Sequence, residues 1–404
     1  MYKGGARMKK HGVALVERQY LFPFVLITSL FFLWGFAHAI LDVLNKHFQE
    51  LLTITRTHSA MIQATMYMGY FIMAIPAGLF INRYGYRRGV VLGLLLYGIG
   101  SLLFIPGQHW MSFNFFLFSL FVIGCGLTFL ETAANPYVTE LGAKETAASR
   151  LNFAQSFNGL GCIFAPILTG ILLFADEDKG ASGNVALPYA VMGVIVLLAA
   201  LAFMRVRLPE IPHEEEVDSE GNHVGLWAHK LFVFGLIALF AYEVAEISIN
   251  SFFINYVTEV GWMNARDASL ILSFGGLGLF MVGRFVGSWI MRRVRAEKML
   301  FWCATGTVVT TLLVILDLGS VSFVALLCGY AFEAIMFALP LKGLGSHTKR
   351  ASSFLMMSPV GGAVGPVLMG LVGDCADMHW AFVVPFVGYV VVWCYARHMV
   401  RLKN

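Results

Sequence analysis

Apolar runs of about twenty residues recur along the whole chain, broken only by short charged or Pro/Gly-containing turns. Nothing constrains the fold more, because a backbone surrounded by lipid must satisfy its own polar groups, and helices do so segment by segment. The runs fall at 21–44, 58–81, 89–106, 113–139, 151–174 and 188–206, then at 229–257, 269–291, 298–318, 321–342, 352–373 and 380–400. Composition agrees: of 404 residues, 58% are hydrophobic and only 13% charged, with 41 Gly besides. A soluble domain carries about 25% charged residues and could not bury this much apolar surface. The sequence therefore predicts an all-α membrane protein of twelve transmembrane helices.

The only long acidic stretch is 207–228, where Glu210, Glu214, Glu215, Glu216, Asp218 and Glu220 cluster. It reads as a solvated linker between two six-helix halves, 21–206 and 229–404, with a polar, basic tail over 1–20 in front. The first run has no small-residue cleavage site and reads as a retained helix rather than a signal peptide. Segments on the side of the termini hold 23 of the 28 Lys and Arg, and the opposite segments hold only Lys46, Arg56, Lys179 and Arg266. Arg284 lies inside a run. By the positive-inside rule both termini and the linker are cytoplasmic, in a multi-pass protein of the inner membrane.

Weak repetition supports two parallel halves. Ala77 to Arg83 lies over Val286 to Arg292, and Arg150, Gly161, Pro166, Leu168 and Gly170 lie over Arg350, Gly361, Pro366, Leu368 and Gly370. Several function classes are excluded. No basic, aromatic-interleaved patch suits nucleic acid, and no nucleophile–base pair or metalloprotease motif suggests an enzyme or a cofactor. The six Cys sit singly, almost all in apolar runs, and read as small buried hydrophobes.

An ionisable group inside a membrane span costs at least about 2.5 kcal/mol, so each one calls for an explanation. His38 and Asp42 lie four apart on one face of the first span, which Asn45 continues. Glu131 and Asn135 form a similar pair in the fourth span, and Asn152, Gln155 and Asn158 follow in the fifth. Glu243, Glu246 and Asn250 share a stripe in the seventh, where Glu246 and Asn250 lie over His38 and Asp42. Such groups either hold helices together by hydrogen bonds or face a cavity. A cavity carboxyl can accept sugar hydroxyls when ionised or carry a proton, and Trp34, one turn before His38, offers a ring for stacking. His38 reads equally as a neutral partner orienting Asp42 or as a ligand contact. Arg284 reads as a structural ion pair, and Arg83, Arg150 and Arg350 as structural or gating residues at the cytoplasmic ends.

The string Leu130-Glu131-Thr132-Ala133-Ala134-Asn135-Pro136-Tyr137-Val138 closely resembles the corresponding segment of the fucose permease family, the fucose/galactose/glucose–proton symporters of the major facilitator superfamily. Further similarity lies in Ser29 to Trp34 leading to Asp42, in Gln63 through Pro76-Ala77-Gly78, and in Arg150 to Gln155 with Phe157-Asn158. It continues in Gly283-Arg284-Phe285 and in Gly361-Gly362 before Pro366. The resemblance implies the major facilitator fold, with Asp42 and Glu131 as the two cavity carboxyls and Asn152 and Gln155 at the sugar site. The chain departs from the family pattern in three respects. Ala39 and Ile40 replace the usual Asn residues before Asp42, Glu246 and Glu333 replace neutral or aromatic residues, and Asn82 replaces an Asp beside Arg83, Arg87 and Arg88.

The sequence thus predicts a monomeric, proton-coupled monosaccharide importer, with Na⁺ as the other possible coupling ion. Asp42, or Asp42 with His38, would load the proton, with Glu131 as the second coupling carboxyl, while Glu131, Asn135, Asn152 and Gln155 hold the sugar, with Asn158, Trp34, Glu246 and Asn250 as further contacts. Two alternatives remain open: export of cationic or amphipathic compounds through Glu243, Glu246 and Glu333, and divalent-metal transport through His38, Asp42 and Glu131.

Overall fold

The computed structural model describes residues 16, 18–142, 146–174, 184–205, 230–291, 293–333 and 357–402. Among them the chain is helical throughout its ordered elements, with no strands. The first six rods are α1 (Leu21–Leu52), α2 (Met61–Tyr84), α3 (Tyr86–Leu102), α4 (Phe113–Glu140), α5 (Ala147–Leu173) and α6 (Ala186–Arg205). The next is α7 (Lys230–Glu259), followed by α8, which runs through Ala265–Ile271, Leu272–Leu277 and Gly278–Ile290. The last four are α9 (Ala296–Ile315), α10 (Ser320–Glu333), α11 (Gly361–Cys375) and α12 (Val383–Arg401).

Ten of the rods are long and apolar enough to cross a membrane. α10 and α11 are shorter, and the expected runs 321–342 and 352–373 continue into residues outside the described set. The linker 207–228, Arg350 and most of the tail 1–20 also lie outside it.

α1 corrects the hydropathy reading, which ends the first run at 44, whereas the helix continues to Leu52. The extra turns are polar because they meet another helix rather than lipid. Asn45 is fully buried there.

The two sets of six helices pack by one scheme. α1 packs on α5, α2 on α4, and α3 on both α4 and α6; in the same way α7 packs on α11, α8 on α10, and α9 on both α10 and α12. Between the sets, α2 meets α11, α5 meets α8, and α1 meets α7. The first two interfaces exchange under a two-fold rotation, and α1 with α7 lies on its axis. Close approach within a set relies on glycine. A Cβ on Gly35 would stand 2.1 Å from the Asn158 carbonyl oxygen, and one on Gly161 2.2 Å from that of Phe32. α1 and α5 therefore touch backbone to backbone, as small residues permit in membranes.

Arginines finish helices on the side of the termini. Arg150 is fully buried and donates from Nε to the Val138 carbonyl at 3.0 Å and from Nη2 to that of Thr139, at the C-terminal end of α4. Arg87 gives Nε to the Phe203 carbonyl at 3.2 Å and Nη2 to that of Met204, at the end of α6. A cation there satisfies orphan carbonyls and opposes the negative end of the helix dipole. Arg87 thus has partners that the loop sequence does not show. The cysteines divide: Cys125 and Cys303 are buried, but Cys328, Cys375 and Cys394 lie exposed, contrary to the buried reading.

Candidate functional site

Trp34, His38, Asp42, Asn45 and Gln49 form one stripe of α1, three or four residues apart, whose deep end at Asn45 and Gln49 meets the other half. Exposure falls along it: Trp34 and His38 are half-buried, Asp42 is 5% exposed and Asn45 0%. α7 repeats the gradient, from half-buried Glu243 and Glu246 to Asn250 at 7% and fully buried Ser251 and Asn255. The deep ends of the stripes are bonded together. Asn45 Nδ2 donates to the Ser251 carbonyl at 2.6 Å and to its hydroxyl at 2.9 Å, and Asn255 Nδ2 donates to Gln49 Oε1 at 2.6 Å. Asp42 and Asn250 consequently form the floor of a polar cavity. Its walls grow more exposed toward the side of the termini.

One turn beyond this seal, Arg56 clamps Glu259 with both arms of its guanidinium, Nε to Oε1 at 3.1 Å and Nη2 to Oε2 at 2.9 Å. Its Nη1 donates to the Gly373 carbonyl. Asp374, at the end of α11, accepts the Arg56 N–H at 3.0 Å, the Thr57 N–H at 2.9 Å and the Thr57 hydroxyl at 2.6 Å. Burial alone would raise the Asp374 carboxyl, but these hydrogen bonds outweigh it and hold the group below the usual carboxylate range. Arg56, one of four cations expected away from the cytoplasm, thus latches the first half to the second.

Around the floor, α2 contributes Gln63, Tyr67 and Tyr70 from one face. Gln63 Nε2 donates to Asp42 Oδ1 at 2.9 Å. The His38 nitrogens lie 3.1 Å from the Tyr67 hydroxyl and 2.9 Å from the Tyr70 hydroxyl. The partner of Asp42 is therefore Gln63, and His38 positions two tyrosines instead. Both ring nitrogens are engaged with tyrosines, which does not favour the metal-ligand reading. Among the described residues, no three His, Cys, Asp or Glu side chains gather as a metal site.

On α4, half-buried Glu131 lies within electrostatic reach of Tyr70 and, across the cavity, of Glu243. Asn135, one turn on, accepts from Gln155 Nε2 of α5 at 3.5 Å. Asn152 is exposed, nearer the mouth. Asn158 gives Nδ2 to the Phe31 carbonyl at 3.3 Å, so its amide also joins α5 to α1. Trp34 meets the His38 ring edge-on at 6.1 Å.

Arg284 departs from the ion-pair reading. It is exposed, stacks 4.6 Å over Phe280, and among the described residues has no carboxylate within ion-pair distance. Arg83 is exposed beside Tyr84.

In the second half, Glu333 is 2% exposed and accepts from the Tyr389 hydroxyl, while Tyr242 donates to its backbone carbonyl at 3.4 Å. Sequence reasoning missed Gln63, Tyr67, Tyr70, Tyr242 and Tyr389 as site residues. The spacing Gln63–Tyr67–Tyr70 was the available signal, but it looks the same on a packing face.

Two parallel helix sets about an axis, sealed at one end with ionisable groups at mid-depth, define the architecture of a secondary transporter. The sequence profile of the Major Facilitator Superfamily matches residues 24–348, and the chain belongs to that superfamily. It is 34% identical over 386 residues to the glucose/galactose transporter of Brucella abortus biovar 1 (strain 9-941), covering 93% of each chain. To the L-fucose-proton symporter of Escherichia coli (strain K12) it is 33% identical over 411 residues, covering 94% of each. Among solved structures it resembles the transporter FucP in the outward conformation, at a TM-score of 0.69 and 33% identity over 94% of this chain and 99% of that one. A bacterial homolog to the human lysosomal transporter Spinster, 12% identical, has the same fold at a TM-score of 0.74 over 94% of this chain and 96% of that one.

Proposed function

We propose that this protein imports a monosaccharide together with a proton, by alternating access about the α1–α7 axis. One observation carries the reading: Asp42 lies at the floor of a cavity sealed on one side and more exposed toward the other. A carboxyl so placed meets the substrate and solvent from one side at a time, which coupling requires. The similarity to a glucose/galactose transporter and an L-fucose-proton symporter over more than nine-tenths of the chain supports both the substrate class and the ion.

In this reading Asp42, held by Gln63, carries the proton, and His38 shapes the wall through Tyr67 and Tyr70. Glu131, Asn135, Asn152 and Gln155 accept and donate to sugar hydroxyls, with the Trp34 ring alongside. The concentration of Lys and Arg on the side of the termini supports a cytoplasmic location for that side, in an inner-membrane protein. The latch of Arg56 and Asp374 then closes the outer side, and the cavity faces inward. The working unit in this reading is the monomer.

The test is Asp42→Asn in proteoliposomes. The variant is expected to keep sugar exchange between the two sides and to lose accumulation driven by a proton gradient. Normal uphill accumulation by Asp42→Asn would overturn the assignment, and a Na⁺ gradient supplied instead distinguishes the coupling ion.

A further inference from the structure

Alternating access without leakage needs a state in which the cavity is shut at both ends. Two straight helices packed along their length close one end only by parting at the other. For α5 and α8 to meet at both ends, one of them has to bend. At the latch end their contact is tight: a Cβ on Gly170 of α5 would overlap the Ser269 hydroxyl of α8 and stand 2.7 Å from its Cβ. Toward the termini the contact thins to Gly159, whose Cβ would stand 3.4 Å from Met281 Sδ. Beyond that point the same two faces lie exposed, with Asn152 seven residues before Gly159 and Arg284 and Phe285 three and four after Met281.

Between those two contacts α8 carries a place to bend. Over Leu272–Leu277 its ladder is π-type, and the Gly278 N–H donates to the Ser273 carbonyl five residues back. Such a turn holds one residue more than an α-helical turn and is a recurrent site of kinks. The extra residue also appears across the interface: twelve residues separate Ser269 from Met281 on α8, whereas eleven separate Gly159 from Gly170 on α5. Within the turn, Gly275 and Gly276 let α10 pack flush against it. A Cβ on Gly276 would stand 3.1 Å from Tyr330 Cζ, and one on Gly275 3.2 Å from Leu327 Cδ2. Glycine also leaves the backbone free to change its dihedrals there.

We propose that α8 is hinged at this π turn. Ala265–Ile271 stays against α5 while Gly278–Ile290 swings toward it. The swing brings Arg284 and Phe285 onto Asn152 and Ser156 and shuts the cavity on the side of the termini before the latch opens. The inference rests on the alternating-access reading above.

The first test removes the extra residue. Deleting Gly275 restores an α-helical ladder and leaves both flanking contacts in phase, so the protein is expected to fold, judged by thermal unfolding. Exchange of galactose or L-fucose in proteoliposomes is expected to fall at least about tenfold, a barrier higher by about 1.4 kcal/mol. Exchange at the unaltered rate would overturn the hinge. If the deletion does not fold, the swing itself decides, read by spin labels in pairs at Phe153→Cys, Trp289→Cys and Trp302→Cys. These positions are exposed, and the six native cysteines are replaced by Ser. Distances are compared with the latch intact and with it cut by Arg56→Ala. Trp289 lies thirteen residues beyond Gly276, about 20 Å, so a bend of about 20° displaces it by about 7 Å. The Trp289–Trp302 distance, within one half, is therefore expected to lengthen by about 5 Å or more. If it stays fixed while Phe153–Trp302 changes, the motion belongs to α5 or to rigid halves; the hinge is then overturned and alternating access stands. Both distances fixed would overturn both readings.

Discussion

A carboxyl deep in a membrane protein persists only where its neighbours hydrogen-bond it or water reaches it. Asp42 has Gln63 on one side and the cavity on the other, so Gln63 sets both where the carboxyl points and what it costs to ionise. A hydrogen bond to a charged group contributes about 1.5–3 kcal/mol. Gln63→Leu is therefore expected to cut proton-driven uptake about tenfold or more, measured as initial rate per amount of protein in the membrane. Uptake unchanged by Gln63→Leu would show that the amide is packing only. Asp42, Glu131 and His38 were legible as candidates because composition says such residues should be absent from apolar runs. The partners of His38 were not, since Tyr67 and Tyr70 sit about thirty residues away and tyrosine is unremarkable in a membrane helix.

The ends of elements carry the gate. The latch joins the loop after α1 to the last turns of α7 and α11 through Arg56, Thr57, Glu259 and Asp374. Because hydrogen bonding holds the Asp374 carboxyl below its ordinary value of 3.8 in the folded protein, its contribution is complete above that value and is lost as pH falls through the lower folded-state value. Asp374→Asn is thus expected to melt below the unaltered protein at neutral pH, with the gap closing only in acid below about pH 4. Thermal unfolding followed across pH checks this, and a gap that persists into strong acid would count against it. Hydropathy also misjudged α1 at this level. Five of the eight residues beyond 44 are polar, so the stretch looks like a loop, yet it forms the last turns of the helix, with Asn45 against α7. The wider, π-type turn at Leu272–Leu277, inside the eighth run, likewise had no signal beyond the pair Gly275-Gly276.

At the scale of the molecule, two six-helix sets touch along α2–α11, α5–α8 and α1–α7, and transport requires those contacts to break on one side as they form on the other. Gly370 gives a lever. A Cβ there would stand 2.9 Å from the Arg56 carbonyl oxygen and 3.0 Å from the Thr57 Cα, both backbone atoms that cannot turn away. Gly370→Val is expected to wedge the latch open and shift the population toward the state open on that side. The check is labelling of a cysteine introduced in place of Asn45, in a protein whose native cysteines, the exposed Cys375 beside the latch included, are replaced by Ser, with a membrane-impermeant maleimide added on the latch side. Faster labelling is expected, and an unchanged rate would mean that the closed side re-forms around the valine. A ligand moves this equilibrium only by its differential affinity for the two states, so substrate at saturation should alter the labelling rate as well.

The sequence by itself determined the solvent, the number of long apolar runs, the side on which most positive charge lies and the few residues too costly to be accidental. Each of these follows from transfer free energies read one segment at a time. Tertiary structure decided which polar groups are spent on sealing the halves, as Asn45 and Gln49 are, and which face the cavity, as Asp42, Glu131 and Glu246 do. It also gave Asp42 to Gln63 rather than His38 and left Arg284 over a ring rather than in an ion pair. The reason is distance along the chain. Those choices depend on partners from other helices, up to some two hundred residues away, and helical periodicity says which way a side chain points but not what it meets.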